Sequence, residues 1–119
     1  MLSYQHLYHA GNLADVQKHA VLAWVLDYLT RKDKPLTYIE THAGRGVYDL
    51  SADEAVKTGE AAAGIALAER LFPADHPYRQ RLDEARAGYG SQAYPGSPLI
   101  AALGLRETDT IHLAELHPQ

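Results

Sequence analysis

The sequence contains no cysteine, which excludes a disulfide framework and thiolate metal sites and is compatible with a reducing compartment, so the cytoplasm is the expected location. It also has no excess of positive charge. Eleven Lys and Arg against fifteen Asp and Glu leave a net charge of −4 and a pI near 5.9, which excludes a chain-wide basic footprint for nucleic acid. Any contact with nucleic acid must rest on local features. Long hydrophobic runs are missing too: the longest, Ala20 to Leu26, falls far short of the roughly 18 residues a membrane-spanning helix needs. The first twenty residues hold Asp15, Lys18 and three histidines where an export signal would carry an apolar run. There is no internal repeat and no charge block. What remains is 119 residues with 46% apolar and 22% charged side chains, the balance of one globular domain able to bury roughly two thirds of its unfolded surface.

The opening Met1 to Gly11 is rich in tyrosine and histidine and has no sustained period, so it reads as an ordered arm. Asn12 is placed to cap a helix, its side chain accepting from a first-turn amide near Asp15. That helix is expected to run to about Leu29 and to be largely buried, because Ala20 to Leu26 is apolar all round; Pro35 stops it. Leu36 to Thr41 reads as a buried strand followed by a tight turn at Gly44 and Gly46. Thr58 to Phe72 and Pro77 to Ala87 give two helical patterns, the second with Tyr78, Leu82 and Ala85 on one side and Gly88 and Gly90 as stops. Ser97 and Pro98 suit an N-cap and first helical position, opening a short helix through about Gly104. Thr110 to Leu116 returns to strand.

Chemistry is concentrated in Glu40-Thr41-His42-Ala43-Gly44-Arg45-Gly46. An acid closes a predicted strand and a Gly-x-Gly follows. Nucleotide-type ligands bind beyond the carboxyl ends of parallel strands, where glycines let backbone amides approach and a carboxylate accepts from amino or hydroxyl groups. The third glycine of the dinucleotide fingerprint is absent, which disfavours NAD and leaves S-adenosylmethionine, with no pyrophosphate to cradle, as the better candidate. Glu115 is the candidate for the second acid, at the next strand's end, where a carboxylate holds ribose hydroxyls. Its distance along the chain exceeds a simple strand–helix–strand unit by about 50 residues, close to the length of the helical insert. A metal site built from His6, His9 and His19 with Asp15 is the rival reading of the arm. It is disfavoured, because the histidines show no repeated ligand spacing and more often serve in hydrogen-bonded packing or stacking.

The start Met1-Leu2-Ser3-Tyr4, then His6, His9-Ala10-Gly11-Asn12, Ala14-Asp15-Val16 and Lys18-His19 resembles the RlmJ-type ribosomal RNA large-subunit methyltransferases. So do Lys32-Asp33-Lys34-Pro35, Thr41-His42-Ala43-Gly44, Thr58-Gly59-Glu60, Tyr94 to Ala101 and Glu115-Leu116-His117-Pro118, in order and spacing, across the whole chain. The resemblance implies S-adenosylmethionine-dependent methyl transfer to an adenine N6 in large-subunit (23S) ribosomal RNA. It implies an α/β, Rossmann-like class I fold divided into residues 1–50 (arm, first helix, first strand and glycine loop), an inserted helical subdomain at 51–93, and a return to the methyltransferase domain at 94–119. It also implies that Lys18, His19, His42, Gly44, Gly46, Ser97 and Glu115 serve the cofactor, with Tyr4 and His6 facing the target adenine. An aromatic arm suits a base that must be splayed out and held. The expected partner is ribosomal RNA, with no membrane, no metal, and a monomer when full length.

One departure stands out. The Asp/Asn-Pro-Pro-Tyr/Phe motif with which such enzymes hold the adenine amine has no counterpart, since the chain has no Pro-Pro pair. No catalytic residue is therefore assigned here. The expectation is an N-terminal part of the enzyme, truncated after the second strand and inactive alone, with unpaired sheet edges. Two alternatives belong to other classes: a nucleic-acid-associated protein in the use of external DNA, which would bind duplex DNA without cofactor, and a non-enzymatic helical module over residues 51–104. The second would bind its partner regardless of Glu115→Ala or Gly44→Val.

Overall fold

A computed structural model describes residues 6–115. A single 3₁₀ turn at His6–Tyr8 leads into α1, Leu13–Leu29. The Asn12 side chain accepts from the Asp15 amide at 2.9 Å, the cap read from the sequence. Asp15, Val16, His19, Ala23 and Leu26 form its buried face, spaced by the helical repeat. The expectation of a largely buried helix is corrected on the other side, where Val21, Trp24 and Tyr28 are each more than half exposed. A helix apolar all round does not choose a face. Its neighbours α5 and α6 cover only one.

β1 (Thr37–Glu40) follows, then β2 (Val47–Asp49), the short helices α2 (Asp53–Thr58), α3 (Glu60–Ala63) and α4 (Ile65–Ala68), a 3₁₀ turn at Glu69–Leu71, and α5 (Pro77–Tyr89). The chain closes with β3 (Ala93–Pro95), α6 (Ser97–Gly104) and β4 (Thr110–Leu113). The single helix expected over Thr58 to Phe72 is corrected to three short pieces. Gly59 sits at φ +69°, a left-handed conformation that stops α2. Gly64 lies where the arm crosses, so close to the Gly11 carbonyl that an added Cβ would come within 2.1 Å of it. Gly88 lies inside α5, and Gly90 ends it at φ +116°.

Two small sheets result. β1 and β4 pair in parallel with Thr37 opposite Thr110 and Glu40 opposite Leu113. The ladder runs on through Ala114 N–H to Glu40 O (2.9 Å) and Ala43 N–H to Ala114 O (3.0 Å). β2 and β3 pair antiparallel, Tyr48 opposite Tyr94, a pairing the sequence reading missed. The core gathers Tyr78 and Leu82 of α5, Tyr94 of β3, Ile100 of α6 and Ile65 of α4 against α1. At the far end of the parallel sheet the Arg106 guanidinium donates to Asp109 and to the carbonyls of Thr30 (3.1 Å), Lys32 and Lys34 (3.0 Å). Asp109 also accepts from the Leu36 amide at 2.7 Å. This cluster ties the α1–β1 loop to the α6–β4 loop and sets where β1 and β4 begin. The architecture is thus a mixed α/β unit with a parallel sheet. Among the described residues no helix is long and apolar enough to cross a membrane.

Candidate functional site

The parallel register brings the carboxyl ends of β1 and β4 side by side, and the turn after β1 meets the residue after β4. The Gly44 amide donates to Glu115 Oε1 at 3.2 Å. Gly44 holds φ +68°, and a Cβ there would stand 2.9 Å from the Tyr48 hydroxyl, so only glycine fits the turn without strain. Tyr48, 3% exposed, accepts from the Arg45 amide at 3.1 Å and so anchors the turn from below. Burial pushes the Tyr48 hydroxyl's pKa up, keeping it neutral. At the start of α6, Gly96 N–H donates to Gly46 O at 2.9 Å. An added Cβ on Gly96 would lie 2.2 Å from the Arg45 carbonyl. β1, β2 and α6 therefore converge where neither Gly44 nor Gly96 can carry a side chain without strain.

The opposite wall comes from the arm and α1. Asp15 is 1% exposed and accepts from His6 Nε2 at 2.6 Å and from the Gly11 amide at 3.0 Å; Lys18 Nζ lies 3.8 Å away. Burial works to raise the Asp15 pKa, but the His6 hydrogen bond and the charges of His19 and His6 outweigh it, and the carboxyl is held below its ordinary value. The His6 ring meets Tyr48 edge-on, centroids 5.4 Å apart. His19 is buried enough that desolvation, only partly opposed by Asp15, drops its pKa to about 4, so it is neutral at pH 7. Between these walls lies a cleft of about 370 Å³ lined by His6, Asp15, Lys18, His19, His42, Ala43, Gly44, Tyr48, Gly96, Ser97 and Glu115, within the range of small-molecule sites.

Comparison with known proteins bears on what this cleft belongs to. Residues 33–119 match the family model described as ribosomal RNA large subunit methyltransferase D, RlmJ. The chain belongs to the RlmJ family. It is 46% identical over 124 residues to ribosomal RNA large subunit methyltransferase J of Escherichia coli K12, and 45% identical over 126 residues to the protein of that name from Haemophilus influenzae. In both, 99% of this chain is matched to 43% of the relative, so the chain spans less than half the length of these curated relatives. A Legionella pneumophila protein known from its crystal structure superposes with a TM-score of 0.72 at 40% identity, covering 92% of this chain and 41% of that one.

Within this RlmJ-family chain, Lys18, His19, His42, Gly44, Ser97, Glu115 and His6 all line the one cleft. Gly46 does not. It lies behind the turn, where its carbonyl receives Gly96 and its Cα faces Leu99. Tyr4 lies outside the described residues. Glu40, read as a ligand-facing acid, is corrected to a support: its carboxylate accepts from the Ser97 hydroxyl and, at 2.5 Å, from the Tyr38 hydroxyl. That bond draws Ser97 into α6 as its first residue, and Gly96 takes the cap position expected for Ser97. Sequence reasoning missed Tyr48 and Gly96 as wall residues and placed Asp15 only in the first turn of α1, next to a metal reading that it disfavoured. Their roles depend on the β2–β3 pairing and on burial, which leave no local period. The spacing of Asn12 and Asp15 was visible, but not the inward turn of the carboxylate.

Proposed function

We propose that this chain holds S-adenosylmethionine for methyl transfer to the N6 amino group of an adenine in large-subunit ribosomal RNA. The observation that carries the reading is the junction of the two strand tips, where the Gly44 amide meets the Glu115 carboxylate. In a Rossmann-like class I sheet that junction is where the adenosyl part of a ligand lies. The fold is read in the same way: residues 1–50 and 94–119 form the methyltransferase domain and 51–93 an inserted helical subdomain. Both curated relatives bear the name of a ribosomal RNA methyltransferase.

The residues present suit the cofactor. Gly44 and Gly96 keep the β1 turn and the start of α6 free of side chains, which lets a planar ligand approach the backbone there. Glu115 is a carboxylate at the end of β4, able to accept from a pair of ribose hydroxyls. Lys18, with a side chain 69% exposed at the cleft, supplies the cation for a methionyl carboxylate. His19, His42 and Ser97 offer further polar contacts around it. When bound, S-adenosylmethionine supplies a methyl group on a sulfonium, the electrophile that an amine attacks. On the arm side, Asp15 fixes the His6 ring against Tyr48, an aromatic edge toward which a splayed adenine is presented, with Tyr4 two positions before His6 in sequence.

Calorimetric titration with S-adenosylhomocysteine tests the assignment. The wild-type chain is expected to give a binding heat. Glu115→Ala is expected to weaken binding by about 10- to 100-fold, the worth of hydrogen bonds to a charged group, and Gly44→Val to abolish it. Equal affinity in wild type and Glu115→Ala overturns the assignment.

A further inference from the structure

His19 reaches the cleft from α1, and behind it runs a buried chain of polar atoms. Its Nδ1 lies 2.8 Å from the Tyr94 hydroxyl of β3, and that hydroxyl lies 2.9 Å from the Tyr78 hydroxyl of α5. His19 is 6% exposed and both tyrosines 0%. Tyr94 is the only hydrogen-bond partner that the described residues give the Tyr78 hydroxyl, and Tyr94 has only Tyr78 and His19. Burial pushes the pKa of both hydroxyls up, so both keep their protons.

Those facts leave few ways to place three protons. If Nδ1 carried a hydrogen and donated it to Tyr94, then either Tyr94 would donate to Tyr78 and strand the Tyr78 proton, or Tyr78 would donate to Tyr94 and strand the Tyr94 proton. A buried O–H without an acceptor is costly and rare. One arrangement strands nothing: Tyr78 donates to Tyr94, Tyr94 donates to His19 Nδ1, and the ring proton sits on Nε2. That nitrogen makes no bond to the described residues, while His19 lines the cleft. From this accounting we infer that Tyr94 and Tyr78 are positioning residues that lock His19 in the Nε2–H tautomer, so that it offers the cleft a hydrogen-bond donor and never an acceptor.

The inference deepens the proposed function and rests on it for the identity of the ligand. It adds a specificity rule: the part of the ligand beside His19 is an acceptor, such as a carboxylate, and a ligand with a donor there is rejected. It also gives α5 a task at the cleft, since Tyr78 lies between Pro77 and the rest of that helix and reaches the site only through Tyr94.

Nitrogen-15 NMR of the histidine rings in the ligand-free chain at pH 7 tests the tautomer without any cofactor. The expected His19 signature is a protonated, pyrrole-like Nε2 and a pyridine-like Nδ1; a protonated Nδ1 overturns the inference. The double variant Tyr78→Phe/Tyr94→Phe removes both hydroxyls of the same shape together, so no buried donor is orphaned and the fold is retained. Its His19 Nδ1, deprived of the Tyr94 donor, is expected to move to the resonance of a pyridine-like nitrogen without a hydrogen bond, and S-adenosylhomocysteine to bind about tenfold more weakly. An unchanged ring signature in the double variant overturns the positioning role. Should the wild-type chain bind no S-adenosylhomocysteine, the cofactor reading fails while the ring spectrum still decides the tautomer.

Discussion

Removing the Asp15 carboxylate should unfasten the arm from α1. Asp15 is 1% exposed and accepts from the His6 ring and the Gly11 amide, with the Lys18 ammonium nearby. Asp15→Ala removes the acceptor of the buried Gly11 amide and of the bond from His6 Nε2, and the carboxylate beside Lys18. Two hydrogen bonds to a carboxylate are worth about 1.5–3 kcal/mol each, so their joint loss should cost about 3–5 kcal/mol once the partial exposure of His6 is discounted, a large part of the roughly 5–15 kcal/mol that holds such a domain together. At about 4 °C per kcal/mol for a chain of this size, the midpoint should fall by about 12–20 °C. Asp15→Asn keeps the shape and one acceptor and should lose about 2 kcal/mol. Urea unfolding at pH 7 measures both. The acid limb adds a second check with a definite sign. The folded pKa of Asp15 is lowered, so its contribution is fully present above the unfolded value of about 4 and is lost as pH falls through the folded one. Wild type should therefore lose more stability than Asp15→Asn on acidification below about pH 4, with no difference in slope between pH 5 and 8 from this group. A loss under about 1 kcal/mol for Asp15→Ala would refute the reasoning that this carboxylate holds the arm.

Three further substitutions probe the cradle and its supports. Gly96→Ala is tolerated by the backbone, at φ −79°, but sets a Cβ 2.2 Å from the Arg45 carbonyl; it should cost about 1–3 kcal/mol and weaken S-adenosylhomocysteine binding, read by urea unfolding and calorimetry. Gly64→Ala puts a Cβ 2.1 Å from the Gly11 carbonyl and breaks the 2.8 Å bond from the Ile65 amide to it, so it should cost a similar amount and speed amide exchange at Ile65. Arg106→Ala removes the guanidinium that binds the Thr30 and Lys34 carbonyls and Asp109, and hydrogen exchange should accelerate at the Leu36 and Thr110 amides while α5 is unaffected.

Elements announced by local chemistry were legible in the sequence. Asn12 capped α1, and Tyr78, Leu82 and Ala85 did mark the buried side of α5; Pro35 and the glycine turn framed β1, but the burial expected of it is corrected, since no residue of β1 is buried and Ile39 is 69% exposed where the described residues leave that face of the sheet uncovered. The junction of Gly44 with Glu115 was legible for the same reason, since each residue lies just past a strand whose pattern is local. Elements fixed by distant partners were not. β2 and β3 are three residues each and exist through pairing with each other; neither is long enough to show a period. The face of α1 that stays exposed, at Trp24 and Tyr28, follows from which helices pack on it and not from its own composition. Glu40 reads as a ligand acid until Ser97 is placed beside it, and Tyr94 reads as part of a turn until its hydroxyl is found between Tyr78 and His19. Polar groups that work from inside the core give no pattern along the chain, because their partners are supplied by folding.

The most direct test follows the backbone amides of the nitrogen-15-labelled chain by NMR as S-adenosylhomocysteine is added. The shifts are expected to concentrate at Lys18, His19, Ala43, Gly44, Ser97 and Glu115, around one cleft. Saturable binding that moves residues on α2 and α3 and leaves Gly44 and Glu115 still, or no shift at all, would contradict the account.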